Sequence, residues 1–439
     1  MTVINVGLIG LGTVGTGLVR IFHENGSLVE NKLGFSLRLK KIAVKDISKA
    51  REIPLGKSVL TDKAREILDD PDIDIVVELV GGENPAKEFI ISALNKGKSV
   101  VTANKLILAK HGKELFEIAD KNAVDIGFEA SVAGTIPIVR ALEEGLAANK
   151  IEKIVAIVNG TTNYILTRMT QTFKTFDEAL KEAQELGFAE ADPSMDIKGN
   201  DSAYKLAILS MLAFGMKILP EDVFTEGITG VTPEHIERAN SFGYVIKLIA
   251  VAESFNGKVS CRVHPVFLEA KHPLSAVQNE FNAIYVVGNA AGETMYYGRG
   301  AGQMPTASAV MSDVIELAER HFRDCKKKDC PSRVMETKTR SLFWREKSIL
   351  PADEVFNKYY LCFPIVDQPG VIGKITTILG VHGISISAVK ATIVDKSKNR
   401  GLVEIFTHSV REGTVKKALA EITGLSMLTE SIFFYRIIE

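Results

Sequence analysis

The feature that most constrains this chain is a glycine-rich turn near its start, GLGTVG at residues 10–15. It follows an apolar run, Val3–Ile9, that is typical of a buried strand, and it opens a helical pattern. There Gly10 permits the tight turn, Gly12 lets backbone amides approach a pyrophosphate, and Gly15 lets the helix lie close to the strand. The helix N-terminus then offers N–H donors to an anion. The turn predicts dinucleotide binding, with a purely structural glycine turn as the alternative.

Apolar runs alternate with helical patterns through residues 1–137. Such alternation predicts a parallel sheet with helices on both faces. We therefore expect an α/β protein with an N-terminal Rossmann-type nucleotide-binding domain at 1–137, to which an amphipathic helix at 305–323 returns. The predicted strands are Val3–Ile9, Leu37–Val44, Ile73–Leu79 and Ser99–Thr102, and the predicted helices are Val14–Asn25 and Phe89–Asn95.

Residues 138–304 mix helical and strand-like patterns and predict an α+β second domain. The polar, basic stretch that follows, 324–357, is predicted to be a linker. Its Cys325 and Cys330 could form a redox pair, although two cysteines beside three lysines are typical of an exposed loop. The expected helices are Phe176–Leu186, Ser202–Phe214, Asn240–Ala252 and Thr306–Arg323, and the expected strands are Ile151–Val158 and Ala283–Val287.

The last part of the chain, residues 358–439, has the order β-α-β-β-α-β, which predicts a separate ferredoxin-like unit. Its strands are expected at Lys358–Val366, Ile384–Val394, Leu402–His408 and Thr429–Ile438, and its helices at Val371–His382 and Val415–Ile422.

Charge and composition exclude several classes of protein. With 53 Lys+Arg against 54 Asp+Glu, the chain has no overall field for a polyphosphate backbone, so nucleic acid is not an expected partner. The apolar helical stretch Leu206–Met216 is far shorter than the ~20 residues that span a bilayer. The first residues lack the basic region of a signal peptide, and four cysteines are too few for a disulfide framework. We expect a soluble cytoplasmic protein without a membrane partner.

The end of the second strand bears on the choice of cofactor. An acid such as Asp46 at this position commonly binds the ribose 2′-hydroxyl of NAD, whereas a cation can pair with the 2′-phosphate of NADP. Lys45 and Arg51 are candidates for that second role, unless both are solvated surface charges. The sequence favours NADP without deciding against NAD.

Two lysines are candidates for acid–base chemistry. Asn200 or Asp201 is a suitable N-cap for the helix that follows, and Asp201 and Lys205 share one face of it at i,i+4. Because this helix is apolar nearly all round, it should be buried, which would perturb the pKa of Lys205. An ordinary surface ion pair is the alternative. Lys105 follows a strand of the nucleotide domain, at the edge where ligands bind, unless it is a simple loop lysine.

Taken together, these residues resemble the homoserine dehydrogenase family, in its single-function form with a C-terminal ACT domain. The resemblance implies NAD(P)-linked interconversion of L-homoserine and L-aspartate 4-semialdehyde, a step towards threonine, isoleucine and methionine. It also implies a homodimer whose second domain binds substrate and pairs with its copy, or a larger assembly formed through pairing of ACT domains. The matching stretches are residues 7–17, 100–105, 128–138, 158–166, 187–206 and 298–313.

The resemblance also implies roles for individual residues. Lys205 is similar to the general acid of the family, and Asp201 to its orienting partner and a substrate contact. Lys105 is similar to a residue that contacts substrate and cofactor, and it is the rival candidate for proton transfer. Glu190 is similar to the carboxylate that binds the homoserine ammonium. The implied backbone contacts to the cofactor are Thr13, Val14, Gly187 and Gly302.

Residues 128–138 resemble the monovalent cation site of the family. The resemblance implies oxygen ligands, mostly main-chain carbonyls, and oxygen-only ligation suits a hard cation such as Na⁺. The implied ligands are Glu129, Val132, Gly134 and Ile136.

The C-terminal unit resembles an ACT domain in its Asp367-Gln368-Pro369-Gly370 turn and in the Ile-Ser-Ile run that begins at Ile384. The implied effector is L-threonine, acting as a feedback inhibitor, and a dimerisation module without a ligand is the alternative.

Two other classes of protein compete with this enzyme. A non-catalytic sensor would keep the glycine turn and the ACT unit but would not need Lys105, Glu190, Asp201 and Lys205. A 2-hydroxy-acid dehydrogenase with an ACT domain usually places a substrate segment before the glycine turn and uses a catalytic histidine. Aspartate semialdehyde dehydrogenase is disfavoured because no cysteine stands where its nucleophile would be needed.

Overall fold

The computed structural model describes residues 3–51, 53, 55–326, 345–395 and 397–439. Its N-terminal strands are β1 (Val3–Ile9), β2 (Ser36–Ala43), β3 (Leu60–Thr61), β4 (Ile75–Glu78), β5 (Ser99–Thr102) and β6 (Ile126–Gly127). The helices between them are α1 (Thr13–Leu33), α2 (Arg65–Leu68), α3 (Ala86–Asn95) and α4 (Lys105–Lys121). All six strands are parallel, in the order β3-β2-β1-β4-β5-β6, which is the Rossmann arrangement that the sequence predicted.

A late helix, α11 (Gln303–Lys326), returns to this N-terminal sheet and packs on α1. Gly17 permits the contact, because a Cβ at that position would lie only 2.7 Å from the carbonyl oxygen of Gln303. Val310 and Val314 of α11 are fully buried in the same apolar cluster as Leu18. The helix predicted at 305–323 therefore exists and is longer at both ends.

The middle of the chain adds the helices α5 (Ile138–Arg140), α6 (Gly160–Thr172), α7 (Phe176–Glu185), α8 (Ser194–Ile197), α9 (Asn200–Phe214) and α10 (Pro233–Ser241). Its strands are β7 (Ile151–Ile157), β8 (Phe224–Thr225), β9 (Tyr244–Phe255), β10 (Lys258–Glu269), β11 (Phe281–Gly288) and β12 (Gly292–Arg299). The predicted helix at Asn240–Ala252 is wrong, since most of that stretch is β9. The run Ile246–Ala252 is buried on both faces between β7 and β10, so it lacks the alternation that marks a half-exposed strand.

The C-terminal unit (Phe356–Glu439) contains β13 (Phe356–Val366), α12 (Val371–Val381), β14 (Ile386–Asp395), β15 (Arg400–Thr407), β16 (Val410–Arg411), α13 (Glu412–Thr423) and β17 (Phe433–Ile438). Its sheet has the order β17-β13-β15-β14 with every neighbour antiparallel, which is the predicted ferredoxin-like arrangement. The unit is not separate, however. Strand β17 also pairs in parallel with β10, with Val266 opposite Arg436, so one 11-stranded sheet runs through both parts of the chain.

The predicted linker at 324–357 is only partly a linker. Helix α11 continues to Lys326, and the side chains of Cys325 and Cys330 lie outside the described residues. From Arg345 onward the chain lies against the second domain: the Arg345 amide donates to the Gly215 carbonyl at 2.9 Å, and Val259 exchanges hydrogen bonds with the strand-like segment around Ile349. Among the residues placed by the structure, no helix combines the length and the apolar character needed to cross a membrane.

Candidate active site

A cleft opens between the N-terminal sheet and α9. It holds a cavity of about 640 Å³ at the carboxyl ends of β1, β4 and β5, where open α/β sheets bind ligands. Both parts of the chain line this cavity, hereafter the central cavity. Its walls include Gly12, Thr13, Val14, Glu78, Gly81, Gly82, Asn104, Lys105, Ala133, Gly134, Glu190, Lys205 and Gly300.

The glycine turn has one open position and two crowded ones. Gly10 has a φ of +102°, and a Cβ there would lie 2.7 Å from the Leu79 carbonyl oxygen. A Cβ on Gly15 would lie 2.3 Å from the Gly10 oxygen, whereas a Cβ on Gly12 would meet no protein atom within 4 Å. Space therefore remains beside Gly12 and the first turn of α1, which has neither a side-chain cap nor an acidic residue. Free N–H groups and a positive dipole end there suit a phosphate.

A second cavity of about 860 Å³ adjoins the turn and is lined by both cations predicted to bind a 2′-phosphate, Lys45 and Arg51. Lys49, which no sequence motif singled out, lines both this cavity and a further one of about 320 Å³. Asp46 is engaged locally, because its Oδ1 accepts hydrogen bonds from the backbone and hydroxyl of Ser48, which hold the pKa of Asp46 below its ordinary value. The Arg51 guanidinium donates to the Asp46 carbonyl oxygen at 2.5 Å. The residues present thus fit an anionic nucleotide.

Asp201, on the first turn of α9, joins the two candidate lysines. Its side chain is only 5% exposed. Lys205 Nζ donates to Asp201 Oδ2 at 2.8 Å and to the Val158 carbonyl oxygen at 2.7 Å. Lys105, the first residue of α4, pairs with the other oxygen, Oδ1, from across the cleft. The structure therefore brings together three residues that the sequence placed in two separate segments.

Burial and charge act on this triad in opposite directions. Burial tends to raise the pKa of Asp201, but the positive charges of Lys205 and Lys105 outweigh it and hold that pKa below its ordinary value. Burial lowers the pKa of Lys205, helped by the like charge of Lys105 and opposed by Asp201. Burial also acts to lower the pKa of Lys105, yet the contact with Asp201 prevails and raises it. Lys205 is thus the easier of the two lysines to deprotonate.

The start of α9 differs from the sequence prediction. Gly199, in a left-handed conformation with φ +83°, precedes the helix, and neither Asn200 nor Asp201 acts as its N-cap. Asp201 is therefore free to face the lysines instead of capping backbone amides.

Two polar residues without a predicted role, Asn159 and Thr161, complete the site. Asn159 Nδ2 donates to Asp201 Oδ2 at 2.8 Å and to Asp196 Oδ1 at 2.7 Å. The Thr161 hydroxyl donates to the Phe188 carbonyl at 2.7 Å and lies 3.2 Å from Asp196 Oδ2. Asn159 also caps α6, because its Oδ1 accepts from the Thr162 amide at 2.8 Å. Its position just before a helix was a local signal for a cap, but its distant partners were not visible in the sequence.

The other expected contacts differ in whether they line the cleft. Glu190 is exposed and lines the central cavity together with Lys205. Gly302 follows two lining residues, Gly300 and Ala301, at the start of α11. Gly187 lies in the loop after α7 and outside the lining of these cavities, and its place beside the cofactor stays a prediction.

The loop at 128–137 forms one wall of the cleft. Ala133 and Gly134 both have positive φ, and a Cβ on Gly134 would lie 2.6 Å from the Gly300 oxygen, so the loop abuts the end of β12. The buried Glu129 carboxylate accepts hydrogen bonds from the Val139 and Arg140 amides at 2.8 and 2.9 Å. Within the described residues no group of three or more His, Cys, Asp or Glu side chains could hold a metal. A cation here would depend on main-chain oxygens.

Comparison with known proteins agrees with this geometry. Residues 10–129 match the model of the homoserine dehydrogenase NAD-binding domain, and residues 137–315 match the homoserine dehydrogenase model. A homoserine dehydrogenase of Bacillus subtilis is 41% identical, over 100% of this chain and 99% of its own length. The crystal structure of a homoserine dehydrogenase from Thiobacillus denitrificans has a TM-score of 0.91 at 40% identity, covering 100% of this chain and 99% of that one.

A more distant structure bears on the cofactor. A hyperthermophilic archaeal homoserine dehydrogenase mutant in complex with NADPH has a TM-score of 0.60 at 30% identity, covering 72% of this chain and 98% of that one. The glycine turn, the buried lysine–aspartate triad and full-length similarity lead to one conclusion. The chain belongs to the homoserine dehydrogenase family of NAD(P)-dependent oxidoreductases.

Proposed function

We propose that the central cavity catalyses the NAD(P)-linked interconversion of L-homoserine and L-aspartate 4-semialdehyde, with Lys205 as the residue that moves the proton. The observation that carries the proposal is the pairing of Lys105 and Lys205 with the two oxygens of one buried aspartate, Asp201, at the wall of a cavity that also borders the glycine turn. A solvated surface ion pair would not combine this burial with a nucleotide cleft.

The proton path follows from the hydrogen bonds of Lys205. Two of the three N–H bonds of a charged lysine point to Asp201 and to the Val158 carbonyl, which leaves one for a substrate oxygen. The cofactor, when bound, exchanges a hydride with the substrate carbon. During reduction, Lys205 gives its proton to the oxygen of the aldehyde. During oxidation, the neutral amine of Lys205 takes the proton of the hydroxyl group.

We rank Lys205 above Lys105 for this step. Burial lowers the pKa of Lys205, and a general acid works best when its pKa lies near the working pH. The contact with Asp201 instead raises the pKa of Lys105. Lys105, whose side chain is 39% exposed on the same cavity, is proposed to hold substrate and cofactor. The exposed Glu190 carboxylate on the same cavity is proposed to bind the homoserine ammonium.

The test is the rate of absorbance change at 340 nm with L-homoserine and NADP⁺ or NAD⁺. We expect Lys205→Ala to lower kcat by about 10²–10⁴-fold, because that is the usual contribution of a general acid. Lys198→Ala is the matched control, since Lys198 is an exposed lysine of the same segment, and it should keep the wild-type rate.

Two other outcomes would contradict the proposed role of Lys205 or the proposed reaction. If Lys105→Ala abolishes turnover and Lys205→Ala does not, the proton-transfer role passes to Lys105. A wild-type protein that binds NADPH but oxidises no homoserine would contradict the proposed reaction and favour a sensor.

We further propose a preference for NADP and a structural Na⁺ site. Lys45, Lys49 and Arg51 around the larger cavity support the first, since cations pair with a 2′-phosphate, and the ratio of NADP⁺ to NAD⁺ rates tests it. Carbonyl groups of the loop that contains Ala133 and Gly134 support the second. The proposed ligands are those implied by the family resemblance, Glu129, Val132, Gly134 and Ile136.

The remaining proposals concern regulation, assembly and location. The ferredoxin-like topology of the C-terminal unit supports an ACT domain that binds L-threonine, and inhibition of the same assay by threonine tests this. A homodimer formed through the second domain is proposed from the family resemblance, and light scattering tests it. The buried free thiols of Cys261 and Cys362 support a reducing, cytoplasmic location.

A further inference from the structure

Glu78 is a buried carboxylate that the mechanism above does not use. It is the last residue of β4, it is 0% exposed, and it borders the central cavity. Its Oε1 accepts hydrogen bonds from the Val80 amide at 2.7 Å and from the Gly81 amide at 3.2 Å. Its Oε2 accepts from the Thr102 hydroxyl at 2.8 Å. One side chain therefore fixes the loop after β4 and the end of β5 together.

The hydrogen bonds continue from Thr102 to the start of α4. Thr102, directly opposite Glu78 in the sheet, accepts from the Asn104 amide at 3.0 Å through its Oγ1. Asn104 is the N-cap of α4, because its Oδ1 accepts from the Ile107 amide at 3.3 Å. The next residue is Lys105, which reaches Asp201 from the first turn of this helix.

Asn104 also holds the loop that follows β4. Asn104 Nδ2 donates to the Gly82 carbonyl oxygen at 2.7 Å. Gly81 and Gly82 have φ of +78° and +73°, and a Cβ on either would meet no atom within 4 Å. Packing thus does little to fix this turn, and hydrogen bonds hold it at the cavity wall. Removing the Glu78 carboxylate would leave the buried Thr102 hydroxyl without its acceptor and the amides of the exposed residues Val80 and Gly81 with water alone.

We propose that Glu78 is a positioning residue for the reaction, which holds Lys105 opposite Asp201 through Thr102 and Asn104. The inference rests on the proposed function, in which Lys105 contacts substrate and cofactor. Glu78 itself touches neither lysine. Its effect on turnover arises because a small displacement of a contact residue at a reacting centre can cost about 10²-fold in rate.

The first experiment compares Glu78→Ala with Glu78→Gln. A glutamine can keep one oxygen for the Val80 and Gly81 amides and donate from its NH₂ group to Thr102 Oγ1, so the frame survives. We expect Glu78→Ala to lower kcat/KM for homoserine by about 10–100-fold and Glu78→Gln to restore most of that loss. The control is Asp74→Asn at the opposite end of the same strand, where the Asp74 carboxylate accepts from the Asn5 amide at 2.8 Å far from the cleft. It should retain the wild-type kcat/KM.

The second experiment separates positioning from general support of the fold. Thr102→Val keeps the shape of the side chain and removes only the link between Glu78 and Asn104. If this link acts through Lys105, Thr102→Val should lower kcat/KM in the wild type and have no further effect in a Lys105→Ala background. Equal losses in both backgrounds would overturn the proposal, and so would a Glu78→Ala variant with wild-type kcat/KM.

A third measurement does not depend on turnover. We expect Glu78→Ala to accelerate hydrogen exchange at the amides of residues 80–82 and 104–107, with the control Asp74→Asn leaving those amides as in the wild type. Unchanged exchange there would overturn the positioning role. A wild-type protein without homoserine activity would instead contradict the proposed function, and the exchange experiment would still decide the role of Glu78.

Discussion

Lys247 and Lys205 are both buried, but only one of them has a carboxylate partner. Lys205 donates to Asp201, whereas Lys247 donates to two neutral oxygens, Asn163 Oδ1 at 2.8 Å and the Val277 carbonyl at 2.6 Å. Burial alone lowers the pKa of Lys247 to about 7. The charge of Asp201 thus opposes the effect of burial on the pKa of Lys205, and no carboxylate opposes it at Lys247.

Lys247 predicts a pH dependence of stability. Because its folded pKa of about 7 lies below its ordinary 10.5, the unfolded chain binds more protons between these values. The free energy of unfolding should therefore rise with pH in that window, by about 1 kcal/mol per pH unit from this residue. Urea unfolding at several pH values between 7 and 9 measures this effect. The free energy of unfolding should rise less steeply with pH in Lys247→Met than in the wild type. The exposed-lysine variant Lys198→Met is the control, and a slope unchanged in Lys247→Met would contradict the prediction.

In the strand–turn–helix element from β1 to α1, two glycines differ in whether the protein's own packing requires them. Gly15 is needed by the protein itself, since a Cβ there would approach the Gly10 oxygen to 2.3 Å. Gly12 is not, because its φ of −83° suits any residue and a Cβ on it would meet nothing within 4 Å. The protein leaves the space beside Gly12 open, which gives room for a ligand.

This difference predicts opposite effects of two alanine substitutions. Gly12→Ala should leave the melting temperature unchanged and weaken NADPH binding at least about tenfold, because the methyl group blocks close approach of the pyrophosphate. Gly15→Ala should lower the free energy of unfolding by about 1–3 kcal/mol through overpacking. Thermal unfolding and NADPH fluorescence titration measure the two effects. A Gly12→Ala variant with wild-type affinity would show that the phosphates bind elsewhere.

Across the whole molecule, one sheet joins the catalytic part to the C-terminal unit, and a buried arginine lies at the junction. Arg436 of β17 is 2% exposed and pairs with Glu412 of its own unit at 2.6 Å and with Glu226, next to β8, at 2.7 Å. The residue after Glu226, Gly227, abuts the turn before α9, since a Cβ there would lie 2.2 Å from the Ile197 oxygen. The ion pairs thus connect the C-terminal unit to the segment that carries Asp201.

The junction predicts a large effect of Arg436→Met on stability. Removing the arginine leaves the Glu412 carboxylate, which is 0% exposed, with the half-exposed Lys416 as its remaining ion-pair partner, and we expect a cost of about 3 kcal/mol, at the lower end for a broken buried pair. Lys358→Met is the matched control, because Lys358 pairs with Glu439 at 2.5 Å on the exposed surface of the neighbouring strand and should cost no more than about 1 kcal/mol. Chemical unfolding measures both. Equal effects would mean that Arg436 does not hold the junction.

Local chemistry made much of this protein predictable from its sequence. The glycine turn, the strand Val3–Ile9, the buried helix from residue 200 and the i,i+4 pair of Asp201 and Lys205 all depend on residues close in the chain. Their turn preferences and hydrophobic periods are properties of short segments. The ferredoxin-like order of the C-terminal unit was predictable for the same reason.

Only the tertiary structure decided which distant residues meet. The sequence does not reveal that Lys105 reaches Asp201 over a separation of 96 residues, that Glu78 binds Thr102, or that Asn159 bridges two aspartates. These contacts depend on strand order and on how α9 packs against the cleft. The prediction of a helix at β9 is wrong because a strand buried on both faces lacks the alternation of apolar and polar residues that identifies a strand. Short-range preferences determine the individual helices and strands. The packing of the sheet determines which of their residues meet in the site.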